Sequence, residues 1–218
     1  MAGELKNVAE TIAGALVEEN GFTRRGSFFF REDQLLRSVT LWPSKWAVPG
    51  SYRFDASLGL GLVGLSSASA RSSEWVVEAS LDHIHRMRGK NVKRFELIGN
   101  PDEDSRVKSE FVEVLRVVCN EFLLKLRQPA DLLDLVVNGE SEFARLRLAP
   151  WNELPRLELA SVYLEFLGEK AAAAKSVEKA VSIAVATGVD RFPDRIRASV
   201  ARASERRRSA GTGGVSGS

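Results

Sequence analysis

The sequence predicts an α+β fold in which helices pack against an antiparallel meander sheet of four or five strands. The first observation is a helical pattern that stops at Asn20-Gly21, and the second is a series of strand-like runs between residues 22 and 62. The third is the short spacing between those runs, which favours antiparallel neighbours over parallel strands joined by helices. From Pro150 the composition shifts to Ala, Leu, Glu and Lys, which predicts a C-terminal helical hairpin.

The N-terminal segment predicts an amphipathic helix of about four turns. Its apolar stripe recurs at helical spacing and consists of Leu5, Val8, Ile12 and Leu16. Gly21 ends this helix, because glycine adopts the left-handed C-cap conformation without a Cβ clash.

Three strands are predicted next, at about 28–31, 35–42 and 52–62. Pro43 ends the second strand, since proline cannot donate to the ladder. Apolar and polar side chains alternate cleanly along 52–62, which indicates an antiparallel strand with one buried face. A Ser/Ala loop at 66–73 follows. Residues 75–87 are ambiguous between strand and helix, and 94–98 form a further short strand candidate.

Helices are predicted at about 103–126, 130–137, 152–167, 169–187 and 193–207, and Gly168 and Gly188 fall at the last two joins. We therefore expect an α+β domain at 1–138 and a helical extension at 139–207. The tail at 208–218 has almost nothing to bury, so we expect it to be disordered.

Composition excludes several classes of protein. The 218 residues carry 31 Lys+Arg and 29 Asp+Glu, so a net charge of +2 makes no global case for binding nucleic acid or an acidic membrane. No signal peptide and no apolar run long enough to span a membrane is visible. Cys119 is the only cysteine, which excludes an internal disulfide. We expect a cytoplasmic protein without a cofactor or membrane contact.

The chain resembles a bacterial family known as domain of unknown function 4304, over about residues 5–138. The resemblance rests on these positions: Gly21, Phe22, Arg25, Gly26, Phe28, Arg31, Ser44, Lys45, Trp46, Phe54, Leu58 and Gly59. The segment 85–89 and the closing helix pair around Pro129 continue it. That family carries no known activity, so the resemblance implies a fold and leaves the function open.

Residues 157–184 resemble a single tetratricopeptide helix pair. The positions that match are Tyr163, Gly168, Ala173, Val177 and Ala180. One such pair cannot bury its own apolar face, so it is expected to dock on the main domain. Small residues at an ordinary helix crossing explain the same pattern without a repeat.

Residues 59–64 match the G-x-G-x-x-G pattern of dinucleotide-binding loops. That motif needs a helix directly after it, and the Ser-rich stretch that follows is a poor helix start. We interpret Gly59 and Gly61 as positions in a strand that relieve crowding. Cys119 falls within an amphipathic helical pattern, which predicts a buried, unreactive thiol.

His83 and His85 lie two residues apart, so on a strand both imidazoles would share a face and could bind Zn²⁺ or Fe²⁺ with a third ligand. No other ligand cluster is visible. A metal-dependent enzyme around this pair is one alternative, and a solvated or hydrogen-bonded pair is the reading that we favour.

Basic and aromatic residues crowd the first part of the sheet. We expect a non-enzymatic binding protein that contacts another protein through the exposed sheet face and the bend at 42–53, because Trp and Arg dominate interface energetics. The candidate contact residues are Arg25, Arg31, Trp42, Lys45, Trp46 and Arg53. Single-stranded nucleic acid is the alternative ligand of this face, since such ligands are held by cations and aromatic rings.

Overall fold

The structure, a computed structural model, describes residues 2–44, 50–69, 72–81 and 95–212. The helices in these residues are α1 (Ala2–Thr11), α2 (Pro101–Val118), α3 (Pro129–Asn138), α4 (Glu140–Leu146), α5 (Glu153–Leu167), α6 (Lys170–Ala186) and α7 (Phe192–Thr212). The strands are β1 (Thr23–Arg25), β2 (Phe28–Glu32), β3 (Leu35–Pro43), β4 (Tyr52–Leu62), β5 (Ser67–Ala68), β6 (Ser73–Glu74), β7 (Val77–Ser80) and β8 (Phe95–Leu97).

The predicted α+β fold with an antiparallel meander sheet is confirmed. The main sheet has the order β1-β2-β3-β4-β7, and all its neighbours are antiparallel. The short strand β8 pairs with the beginning of β4. Strands β5 and β6 form a separate small hairpin between β4 and β7, in the stretch that we expected to be a loop. The ambiguous segment after residue 74 contains strand β7.

One face of the sheet packs against α1 and α2 around a single large apolar core. The predicted alternation along β4 is confirmed, because Tyr52, Phe54 and every second residue to Leu62 are buried in this core. On α1 and the turn after it, the buried stripe contains Val8, Ile12 and Leu16, as expected. The rings of Phe54 and Phe95 both meet Phe111 of α2 edge-on.

Local signals set the ends of the helices. Gly21 has φ of +68° and ends the first helical segment, as predicted. That segment is not one continuous α-helix, because a π-helical turn at Gly14–Glu18 follows α1. At the start of α2, the Asn100 side chain accepts hydrogen bonds from the backbone N–H groups of Asp102 and Glu103. The Asp131 side chain accepts from the backbone N–H groups of Arg127 and Gln128 at the start of α3.

Three helix predictions need correction. The helix expected at 103–126 is α-helical only to Val118, and Cys119–Leu123 form a π-helical turn. Helix α4 was not predicted, because it is short and directly follows Asn138-Gly139. Helix α7 extends to Thr212, so residues 208–212 of the expected disordered tail continue that helix.

The C-terminal helices pack against the rest of the chain. Leu159, Val162 and Tyr163 of α5 belong to the same buried cluster as the sheet. The predicted hairpin is formed by α5 and α6, and α7 packs beside α5 as a third helix. A second small core joins them, around Ala180, Ala184, Phe192 and Ile196. Among the helices described, none combines the length and the apolarity needed to cross a membrane.

Candidate interaction surface on the outer face of the sheet

The sheet face opposite α1 and α2, here called the outer face, is defined by the strand register. Directly paired residues project to the same side of a sheet. A core-side row crosses all five main strands: Arg24, Phe29, Val39, Leu58 and Ala79. The flanking rows therefore lie on the outer face, and they contain Thr23, Phe30, Ser38, Gly59 and Glu78 in one and Arg25, Phe28, Thr40, Ser57 and Ser80 in the other.

An arginine and two stacked rings mark the β1–β2 end of this face. The ring centroids of Phe28 and Phe30 lie 5.6 Å apart with an interplanar angle of 12°. The guanidinium carbon of Arg25 lies 4.8 Å from the Phe30 centroid, within cation–π range. Arg25 is exposed, so its charge remains accessible while the ring restricts its position.

Trp42 lies on the outer face near the end of β3. Its side chain is 37% exposed, and its indole Nε1 donates a hydrogen bond of 3.1 Å to Ser57 Oγ on β4. This bond fixes the orientation of the ring. The neighbouring candidates Lys45 and Trp46 lie outside the described residues, as do His83 and His85.

A pocket of about 240 Å³ lies between the outer face and the β5–β6 hairpin. We call it the hydroxyl pocket. Its floor is formed by β3 and β4 and includes Ser38, Thr40, Ser57 and Gly59, and its wall is formed by Ala68, Ser69, Ser72 and Ser73 with Glu78 of β7. Glu78 is held on two sides, because its backbone pairs with Gly59 and exchanges two hydrogen bonds with Ala149.

The glycines of β4 allow the hairpin to approach the sheet. A Cβ atom on Gly59 would lie 2.5 Å from Ser38 Oγ and 2.9 Å from Val76 Cγ1. On Gly61 it would lie 2.4 Å from Ser66 Cβ. A Cβ atom at either position would force these neighbours to move, so glycine is favoured at both. This confirms the interpretation of the glycine pattern as crowding relief within a strand.

The predicted basic residues do not all gather on the outer face. Arg31 lies on the core side of the sheet, opposite Arg37. It donates a hydrogen bond to Asn20 O at 2.9 Å and forms an ion pair with Asp33 at 2.8 Å. Arg53 pairs with Glu96 at 2.9 Å, and its side chain is only 12% exposed. Of the six candidate contact residues, Arg25 and Trp42 are therefore the two on the described part of the outer face that are exposed.

Arg37 has a structural role that the sequence did not reveal. It projects into the core side, where 4% of its side chain is exposed and it forms an ion pair with Asp33. Its Nε donates to Leu123 O at 2.8 Å and its Nη2 donates to Leu126 O at 2.9 Å. These carbonyls follow α2, so Arg37 caps the end of that helical segment. It contributes nothing to a basic surface.

Two arginines of α7, Arg202 and Arg206, bind the end of the β5–β6 hairpin. Arg202 and Arg206 lie 5.0 and 4.5 Å from the Trp75 ring centroid. They also pair with Glu74, at 3.0 and 2.8 Å. Arg202 and Arg206 are four residues apart, so both lie on one face of the helix. This spacing is the sequence feature from which a shared binding partner could have been predicted.

The candidate thiol Cys119 is buried, and a buried tyrosine lies near the hairpin. Burial raises the pKa of the Cys119 thiol to about 12, so it stays protonated near neutral pH, as expected for a buried thiol. Burial also raises the pKa of the Tyr163 phenol, whose hydroxyl donates to Trp75 O at 2.8 Å. Within the described ranges, no three His, Cys, Asp or Glu side chains come together to hold a metal ion.

Comparison of the chain with protein-family models, curated proteins and solved structures finds no match.

Proposed function

We propose that this chain is a non-enzymatic binding protein that contacts another protein through the outer face of the sheet. The observation that carries the proposal is the pair of accessible anchors on that face, Arg25 stacked on Phe30 and Trp42 held by Ser57. Trp and Arg are the residue types most enriched among interface hot spots. Both stand on hydrogen-bonded strands, so little conformational entropy is lost when a partner orders them.

The ion pairs of the sheet support a protein partner over nucleic acid. Binding to a phosphate backbone depends on several accessible cations that displace counterions. Arg31, Arg37 and Arg53 are each engaged by a carboxylate. Among the described candidates on the outer face, Arg25 is therefore the exposed cation. One accessible cation does not suffice to bind a phosphate backbone.

Two matched pairs of variants test the proposal in pull-downs from the native cell with quantitative mass spectrometry. Trp42→Ala is compared with Trp151→Ala, since Trp151 is 62% exposed and lies outside the sheet. Arg25→Glu is compared with Arg191→Glu, an exposed arginine just before α7. We expect each outer-face variant to reduce recovery of a specific partner by about 10-fold or more, as for a hot-spot residue. The two controls are expected to retain it.

Equal recovery of the same proteins by Trp42→Ala and the wild type would refute the proposal, provided that both proteins melt at similar temperatures. A labelled single-stranded oligonucleotide provides the other arm. Binding that weakens steeply with salt and is lost in Arg25→Glu would replace the protein partner with nucleic acid.

A further inference from the structure

Three helical elements on the core side of the sheet enclose a second cavity of about 250 Å³, here called the helical groove. Its walls are the turn that ends the α2 segment, α3 and α4. Arg37 holds the carbonyls of Leu123 and Leu126 in this turn, which places the groove on the opposite side of the sheet from the outer face. All the lining residues lie within the continuous described stretch 95–212, so their neighbours in the chain are described as well.

Two local features of the backbone shape the helical groove. The π-helical turn at Cys119–Leu123 contributes Phe122 to the lining, and such turns occur frequently at functional sites. A Cβ atom on Gly139 would lie 2.2 Å from Leu135 O and would force the backbone to move. Glycine therefore allows α4 to begin directly after α3, which brings the two helices together as walls of one groove.

The floor of the helical groove is apolar. It consists of Phe122, Leu126, Leu135 and Leu146. The three leucines are only partly buried, so each of them still has apolar surface that a partner can cover. At roughly 30 Å³ for each water-sized group, the volume of 250 Å³ accommodates about eight heavy atoms, which is the size of two leucine side chains. Two apolar anchors one turn apart on a helix match this size.

The rim of the helical groove carries more negative than positive charge. Carboxylates stand on all three walls and comprise Glu121, Asp131, Asp134 and Glu142. Lys125 and Arg145 are the lining cations, so four carboxylates against two cations give a formal charge of −2. Arg145 already pairs with Glu142 at 2.5 Å. Asp134 is exposed and accepts a hydrogen bond of 2.7 Å from the uncharged Asn138 side chain. A basic partner is therefore attracted and an acidic one is repelled.

The distribution of these charges selects the kind of partner. A single small cation would meet the carboxylates of one wall, because they stand on three separate elements. A helix with an apolar stripe and flanking basic residues covers the floor and meets several walls at once, as in the helix-in-groove mode of recognition. We propose that the helical groove binds a basic amphipathic helix of another protein. The site is separate from the outer face, so this proposal does not rest on the contact proposed there.

The experiment titrates the full chain into synthetic peptides labelled with fluorescein, and binding is read as fluorescence anisotropy. The first peptide has about 15 residues of leucine and lysine, with the leucines in one helical stripe. In the second peptide, glutamate replaces every lysine. In the third, leucine and lysine alternate, which removes the helical stripe. We expect saturable binding of the first peptide, at least about 10-fold tighter than that of either other peptide.

Variants of the rim and floor connect binding to the helical groove. Asp134→Lys is expected to weaken binding of the first peptide by about 3-fold to 10-fold, and Lys125→Glu to strengthen it by about 2-fold to 5-fold. Glu178→Lys, at an exposed position of α6, changes the net charge as Asp134→Lys does and is expected to leave binding unchanged. Leu146→Ala removes part of the floor and is expected to weaken binding. If this last variant fails to fold, the rim variants decide the test.

The proposal is overturned if the first peptide does not saturate or if the glutamate peptide binds equally well. Equal weakening by Asp134→Lys and Glu178→Lys also overturns it, since binding would then follow net charge alone. Sedimentation of the chain without peptide tests another occupant, because a dimer that Asp134→Lys dissociates would place a second copy in the groove. Trp42→Ala is expected to bind the first peptide as the wild type does, and a loss there would assign the peptide to the outer face.

Discussion

Replacement of Arg37 by methionine tests how much the buried contacts of this arginine contribute to the stability of the protein. The guanidinium binds two backbone carbonyls after α2 and pairs with Asp33, while 4% of the side chain is exposed. Methionine keeps most of the apolar stem and removes all three interactions. The carbonyls of Leu123 and Leu126 then lose a charged donor in a site that water enters poorly.

The expected loss follows from these contacts. A hydrogen bond to a charged group contributes about 1.5–3 kcal/mol, and breaking a buried ion pair typically costs about 3–5 kcal/mol. Because Asp33 is itself 32% exposed and can rehydrate, the loss of the ion pair adds little, and the two charged hydrogen bonds set the expected loss. We expect Arg37→Met to lower the free energy of unfolding by about 3–5 kcal/mol, which at this chain length lowers Tm by about 6–20 °C.

Urea unfolding followed by circular dichroism measures the effect. Arg37→Lys is expected to lie between wild type and methionine, since one ammonium cannot match the fork that reaches two carbonyls and a carboxylate. Arg191→Met, at an exposed position, is the control and should change the unfolding free energy by less than about 0.5 kcal/mol. A methionine variant within about 1 kcal/mol of the wild type would refute the capping role.

The pH dependence gives an independent check on the same pair. Burial raises the pKa of Asp33, but the Leu35 N–H bond and the charges of Arg37 and Arg31 outweigh it, so the pKa is lowered overall. Its stabilisation is therefore present above the unfolded pKa of about 3.9 and is lost as the pH falls through the folded pKa. Asp33→Asn should destabilise the protein at neutral pH by about 1 kcal/mol or less. The difference in unfolding free energy from the wild type should shrink as the pH falls through the lowered pKa of Asp33.

Three further predictions concern the strand glycines, the thiol and the α7 contact. Gly61→Ala should lower the free energy of unfolding by about 1–3 kcal/mol, because the new Cβ atom clashes with Ser66. Gly14→Ala is the control, since its Cβ atom would meet nothing closer than 3.9 Å, and thermal melts should show it to be neutral or stabilising. Cys119 should react with a disulfide reagent only in denaturant, and rapid labelling of the native protein would contradict its burial. Trp75→Leu removes the ring under both α7 guanidinium groups and should speed hydrogen exchange in α7 by about 5-fold to 30-fold, with α1 unchanged.

Much of the fold was predictable because its signals are local. The alternation in β4 indicated the buried face, and Gly21 marked the end of the first helical segment. The π-helical turn after Val118 was missed, since an apolar stripe continues through it with nearly the spacing of an α-helix. The β5–β6 hairpin was missed because its two-residue strands carry no periodicity.

The candidate site was predictable only in part. Trp42 and Arg25 lie on the outer face, but Arg31 does not, because β2 places it in register with Arg37 on the core side. Strand β1, which carries Arg25, was not predicted. No pattern in the sequence near Ser38 indicated a pocket. The wall of that pocket comes from the β5–β6 hairpin, which follows β4 in the chain.

By itself the sequence determined the class of the fold, the faces of its strands and the preference for glycine at positions 59 and 61. Only the tertiary structure decided what each charged side chain does. Arg37 meets its carbonyl partner 86 residues away, and Arg206 meets Glu74 across 132 residues. Side-chain periodicity indicates which face of a strand or helix a residue occupies. The identity of its partner depends on how distant elements pack, and a local sequence pattern does not contain that information.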